Sequence, residues 1–131
     1  MARGAGSVTA ASSGAFTGLP YSFPTRIGNP EGRTSPEELL AAAHGGCFAM
    51  SLANELGAAG ATVDELGVHC TITMDEVEGQ GHLIVHSALE VSASGENVAE
   101  TVEQAVAAAH AGCSFSRLIE SAGATVSITT T

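Results

Sequence analysis

The chain has 131 residues, 44% of them hydrophobic and 4% aromatic, with no Trp. That is the size of one domain, and its core must be built from Ala, Val, Leu and Ile. The net charge is −10 and lysine is absent. The only cations are Arg3, Arg26, Arg33 and Arg117, which argues against a basic nucleic-acid surface and against attraction to an anionic membrane.

The opening Met1–Ser7 lacks the apolar core of a signal peptide, and the uncharged, apolar run Leu39–Asn54 is too short and too polar to span a bilayer. A cytoplasmic protein is expected. In that compartment three cysteines point to reactive or buried thiols rather than to a disulfide framework.

In chain order, Ser7–Ala11 and Ala15–Phe23 read as short β-like pieces in a Gly/Ser/Thr/Ala-rich segment. Pro20, Pro24 and Pro30 then break regular structure, and Thr25–Arg33 reads as a loop. Ser35, Pro36 and Glu38 supply an N-cap, a first-turn proline and a capping-box glutamate. They predict a helix from Pro36 to about Leu56, apolar almost all round and therefore central and buried. Gly45-Gly46 within it implies close approach of another backbone. Val68, Cys70, Ile72 and Met74 alternate with polar residues and predict a strand. Asp75–Gly81 is a turn, and His82 to about Ala93 is the second strand of an antiparallel hairpin. A second helix is expected over about Asn97–Gly112, with an apolar stripe that reaches Cys113 when continued by four residues. A short helix over Phe115–Ser121 and a last strand over Ala124–Thr129 complete the reading. Apart from that short helix, the order is β-β-α-β-β-α-β, an α+β class with an antiparallel sheet.

Three groups of side chains could carry chemistry. Cys47 lies too deep in its helix for that helix's own dipole to lower its pKa, so a nucleophilic Cys47 needs a cation brought to it. Arg26 is a candidate, with Glu37 able to hold its guanidinium in a two-pronged grip. A buried, inert thiol is the competing reading. Cys113 follows a helix stop and leads a short helix that Ser114 could cap, where backbone N–H groups favour a thiolate; a helix-end core residue is the alternative. Cys70, on the apolar face of its strand, reads as core. His44 and His110 each precede a cysteine by one helical turn, so His44, Cys47, His110 and Cys113 could instead form a metal site. Arg33 reads as a solvated charge, and Arg117 could pair with Glu120 or reach the site.

Together, Thr25-Arg26, Ser35-Pro-Glu-Glu-Leu-Leu40, Ala42-Ala-His-Gly-Gly-Cys-Phe48 and Ala111-Gly-Cys113 resemble the OsmC/Ohr family of thiol-dependent organic hydroperoxide reductases, its OsmC branch in particular. The resemblance covers nearly the whole chain as one domain, residues 1–131. It implies an intertwined α+β homodimer, with antiparallel sheets around two central helices and sites at the subunit interface. By position, Cys47 corresponds to the peroxidatic cysteine and Cys113 to the resolving one. Arg26 and Glu37 correspond to the family's arginine and glutamate. The implied activity is an antioxidant peroxidase of the oxidative stress response. Cys47 would pass through a sulfenic acid to a Cys47–Cys113 disulfide, reset by an external dithiol such as a lipoylated protein, with no cofactor or metal. Phe48, Met50 and Phe23 are expected to line an apolar pocket for alkyl hydroperoxides. The chain departs from the family in two places. Arg3–Thr9 aligns with what normally follows the family's first strand, so that strand is absent from this alignment. Ser-Phe-Ser follows Cys113 where a proline-containing segment is usual. A non-catalytic dimer of the same fold is the remaining alternative.

Overall fold

The computed structural model describes residues 3–131. Its elements are β1 (Gly6–Val8), β2 (Leu19–Tyr21), α1 (Phe23–Ile27), α2 (Pro36–Ala58), β3 (Thr62–Val77), β4 (Gly81–Glu96), α3 (Val98–Gly112), α4 (Ser114–Ser121) and β5 (Thr125–Thr130). The chain divides into two compact units, one ending at Leu39 and the other running Leu40–Thr131.

In the first unit β1 and β2 pair antiparallel, with Gly6 opposite Tyr21. A side chain at position 6 would collide with the Tyr21 phenol. The predicted loop after Phe23 begins as a helix. Ser22 is extended and its hydroxyl accepts from the Thr25 N–H at 3.3 Å. Pro24 fits the first turn, where no N–H is needed. The signal was present in Ser22-Phe-Pro but was masked by the proline-as-breaker reading. The capping box at α2 forms in half. Ser35 accepts from the Glu38 N–H at 3.1 Å, while the Glu38 carboxylate turns to the Thr34 hydroxyl at 2.9 Å.

The second unit packs helices on a three-stranded sheet of order β3-β4-β5. β3 and β4 form the expected antiparallel hairpin, with Val68 opposite Val91, Cys70 opposite Leu89 and Ile72 opposite Ser87. β5 joins β4 in parallel, so the sheet is mixed rather than wholly antiparallel. Both hairpin strands are longer than expected. Asp64-Glu65 interrupts the alternation, but a register shift between Val63 and Glu65 absorbs the extra residue and pairing continues to Thr62.

Ser87, Leu89 and Val91 form the buried face of β4. Against the core lie Phe48, Leu52 and Leu56 of α2, and Val98, Ala105 and Ala109 of α3. The α3 stripe follows its predicted spacing. α2 does not bury its whole circumference as expected: His44, Gly45, Phe48, Leu52 and Leu56 are its buried residues, and Met50 is 77% exposed. Within one chain, only one side of this apolar helix has a sheet to cover it.

Gly45 is where helix meets sheet. An added Cβ would stand 3.3 Å from the Cys70 Cβ, which is fixed to the strand backbone. At Gly57, on the same helix, a Cβ meets nothing within 4 Å. Gly57→Ala is therefore expected to raise stability by about 0.5–1 kcal/mol, the ordinary helical preference of alanine. Gly45→Ala should show no such gain, and Gly45→Val should destabilise. Urea midpoints of the three variants check the ordering.

Candidate active site

α3 stops at Gly112, and Cys113 turns extended (φ −80°, ψ 112°) before α4 begins. Cys113 itself is the N-cap: its Sγ accepts from the Ser116 N–H at 3.5 Å. The sequence had assigned that role to Ser114. Relieved of capping, Ser114 places its Oγ 3.9 Å from the Cys47 Sγ. Cys113 is fully buried.

Cys47 is half-buried on α2. Burial pushes its thiol up, but hydrogen bonds from the Cys113 thiol, the Ser114 hydroxyl and the backbone N–H groups of Phe115 and Ser114 outweigh burial. The net result is a thiol below the ordinary cysteine range. The dipole of α2 cannot reach Cys47, as expected. The first turn of α4 supplies what the sequence sought from a cation alone: free N–H groups at a helix start, which favour an anion.

In the first unit Arg26 and Glu37 meet as predicted. Arg26 Nε donates to both carboxylate oxygens at 3.0 and 3.1 Å, and Nη2 donates to Oε1 at 2.5 Å. The Glu37 side chain is 15% exposed and the Arg26 side chain 33%. The hydrogen bond from Arg26 holds the Glu37 carboxyl below its usual range, and the same bond raises Arg26. The guanidinium is thus fixed in direction and permanently charged.

His44 is fully buried. Its Nδ1 lies 2.6 Å from the Ser87 Oγ and its Nε2 lies 2.7 Å from the Ser116 Oγ. Cys70, expected to be plain core, approaches the same cluster, with its Sγ 3.3 Å from the Ser87 Oγ and 3.9 Å from His44 Nδ1. Burial lowers the His44 pKa, with His110 adding to that and Glu120 opposing it. Burial also raises the Cys70 thiol. Sequence reasoning missed Ser87 and Ser116. For Ser87 a signal existed: it occupies an inward position of β4 in register with Leu89 and Val91, and a buried hydroxyl there requires a partner.

The four residues of the metal reading do not gather. His44 spends both ring nitrogens on serines, and His110 Nε2 bonds Glu120 at 3.2 Å. Among the described residues no three His, Cys, Asp or Glu side chains form a metal-sized cluster. Glu120 pairs with His110, the partner the sequence reading had not considered for it. Arg33 stands near Glu31 at 3.9 Å on the surface, as expected of a solvated charge. Phe48 is core and Met50 is exposed on the same helix, so the two do not line a common pocket.

The buried, neutral His44 gives stability a defined pH dependence. Unfolded, it takes a proton near pH 6.5; folded, it resists. The unfolded chain binds more protons in that range, so stability falls as pH drops through and below it. Denaturation midpoints at pH 7.5 and 5.5 should differ more for the wild type than for His44→Gln.

Comparison with known proteins bears on the family and the fold. Residues 28–129 match the OsmC-like protein family. The chain is 38% identical over 120 residues to peroxiredoxin OsmC of Escherichia coli strain K12, covering 90% of this chain and 81% of that one. The same figures hold for peroxiredoxin OsmC of Shigella flexneri. Among solved structures, the organic hydroperoxide resistance protein OhrB of Bacillus subtilis superposes with a TM-score of 0.75 at 20% identity, over 92% of this chain and 86% of that one. An OsmC organic hydroperoxide resistance protein of Legionella pneumophila gives 0.71 at 24% identity, over 90% and 85%. Those two likenesses establish the shared fold. No helix among the described residues is long and apolar enough to cross a membrane. The family match over most of the chain and the relatives at 38% identity place it: the chain belongs to the OsmC-like protein family.

Proposed function

We propose that this protein is a thiol peroxidase that reduces organic hydroperoxides to alcohols, with Cys47 as nucleophile. The observation that carries the reading is the Ser114 hydroxyl at the start of α4, 3.9 Å from the Cys47 sulfur, with a second thiol, Cys113, one residue before it. The names of the relatives, peroxiredoxin OsmC and organic hydroperoxide resistance protein, support it.

The Cys47 thiolate attacks the distal oxygen of the peroxide. The O–O bond breaks, the alkoxide leaves and takes a proton to become the alcohol, and Cys47 becomes a sulfenic acid. Arg26 stabilises charge during this step, held in direction by Glu37. The Cys113 sulfur then attacks the Cys47 sulfur and the S–O bond breaks. The departing hydroxide takes the Cys113 thiol proton, which yields a disulfide and water. An external dithiol, a lipoylated protein or a small molecule, restores both thiols by exchange. The working form is a homodimer whose second copy covers the open side of α2. The reaction takes place in the cytoplasm and needs no metal or organic cofactor.

Two measurements test the reading. With excess dithiol, the wild type should consume cumene hydroperoxide faster than hydrogen peroxide, and Cys47→Ser should consume neither above the dithiol background. A wild type that consumes neither refutes the proposal. Independently, the pH midpoint for Cys47 alkylation by iodoacetamide should rise in Ser114→Ala, because one of the groups that favour the thiolate is gone. Peptide mass spectrometry of the Cys47 adduct reads that shift.

A further inference from the structure

The mechanism above uses Cys47 and Cys113 and leaves a buried cluster unexplained. It contains a thiol, two hydroxyls and an imidazole, contributed by β3, β4, α2 and α4. Ser87, His44 and Ser116 are each fully buried. Four polar groups in an otherwise apolar core are costly unless they are hydrogen-bonded.

We propose that Cys70, Ser87, His44 and Ser116 form one directional chain of hydrogen bonds that positions Cys113 for its attack on oxidised Cys47. The assignment deepens the peroxidase reading and rests on it.

Direction follows from where protons can go. The buried Ser116 hydroxyl has one side-chain partner, His44 Nε2 at 2.7 Å, so its proton is donated there. A neutral imidazole carries one proton, which must then sit on Nδ1 and be donated to the Ser87 Oγ at 2.6 Å. Ser87 in turn donates to the Cys70 Sγ at 3.3 Å, a weak acceptor but the one left to it. The tautomer of His44 is thus set from the first turn of α4, and the hydroxyl in that turn is fixed by a chain that ends on the sheet.

That turn is where Cys113 sits. The Ser116 backbone N–H holds the Cys113 sulfur, and its side chain is held by His44. When Cys113 attacks the sulfenic acid, its sulfur gives up the Ser116 N–H and α4 loses its cap. The bond from the Ser116 hydroxyl to His44 Nε2 does not involve Cys113 and survives the step. It keeps the start of α4 in place while the cap is consumed. His44 is a positioning residue here, as are Cys70 and Ser87: none touches the reacting sulfur atoms.

The decisive measurement on the wild type is ¹⁵N NMR of the His44 ring. A neutral ring protonated at Nδ1 between pH 6 and 8 is expected. A proton on Nε2, or ordinary titration in that interval, overturns the chain. Kinetics then separate its role from simple stability. With the protein pre-reduced and one equivalent of cumene hydroperoxide, Cys47 sulfenic acid is trapped with dimedone and disulfide formation is followed by mass. In Cys70→Ala and Ser87→Ala, sulfenic acid should form at the wild-type rate. The disulfide step should slow by roughly tenfold, the worth of about one hydrogen bond, and sulfinic acid should accumulate. Cys70→Ser, which restores an acceptor, should recover most of the disulfide rate. Wild-type disulfide rates in both alanine variants overturn the proposal and leave the peroxidase reading intact. Absence of sulfenic acid in the wild type overturns both. If the variants unfold, the wild-type NMR result still decides.

Discussion

The candidate site depends on one turn of backbone, the passage from α3 to α4 at Cys113. A helix start leaves its first N–H groups without partners inside the helix. At α4 one of them is satisfied by the Cys113 sulfur and others are directed at the Cys47 sulfur. The same turn therefore holds one thiol and favours the thiolate of another. Gly112 and the extended Cys113 end α3 where its apolar stripe runs out, so the packing of α3 on the sheet determines where α4 begins. Geometry at the sulfur atoms is inherited from Val98, Ala105 and Ala109 in the core.

A second constraint acts from beneath. α2 can bring Cys47 to α4 only if it lies close to β3, and the contact at Gly45 sets that distance, with no room for a larger side chain before Cys70 is displaced. One residue earlier, His44 enters the core and must be satisfied there. Leaving either ring nitrogen without a partner would cost about 1–3 kcal/mol, so Ser87 and Ser116 are as much part of the α2 docking site as the leucines. Close packing sets how near the helix comes, and the imidazole sets how it is rotated. Cys47, one turn further on, is presented on a different side from Phe48, which stays in the core.

Much of this was legible in the amino-acid sequence, for reasons that differ by residue. Helix starts and hairpins depend on local chemistry, so Ser35-Pro-Glu-Glu and the Val68–Met74 alternation read directly. The Arg26–Glu37 pair was legible because scarcity singles it out: with four cations in the chain, each draws attention. What did not read depended on partners distant along the chain. Ser22 as a cap was hidden behind two prolines. Ser116 is separated from His44 by most of the chain, and nothing in Ser-Phe-Ser says that its second serine faces inward. The cap of α4 was misassigned by one residue, since serine is the usual cap and a thiol is seldom considered one. Beyond these, the parallel pairing of β5 with β4 is a tertiary choice that a lone six-residue strand does not encode.

The way the thiolate is favoured suits a chain of this composition. At a net charge of −10, the general field of the protein opposes any further anion, so Cys47 needs specific compensation to ionise. Lysine, the commonest mobile cation, is absent, and Arg26 is held by its own carboxylate. Backbone N–H groups are neutral, cannot titrate and are fixed by the helix they begin. Their effect on Cys47 is local and short in range, so it is screened by salt far less than a surface charge would be. It lasts only as long as α4 stays in register with α2. That requirement ties the thiolate to the core: the close packing of α2 on β3 at Gly45 holds Cys47 beside the helix whose first turn favours it.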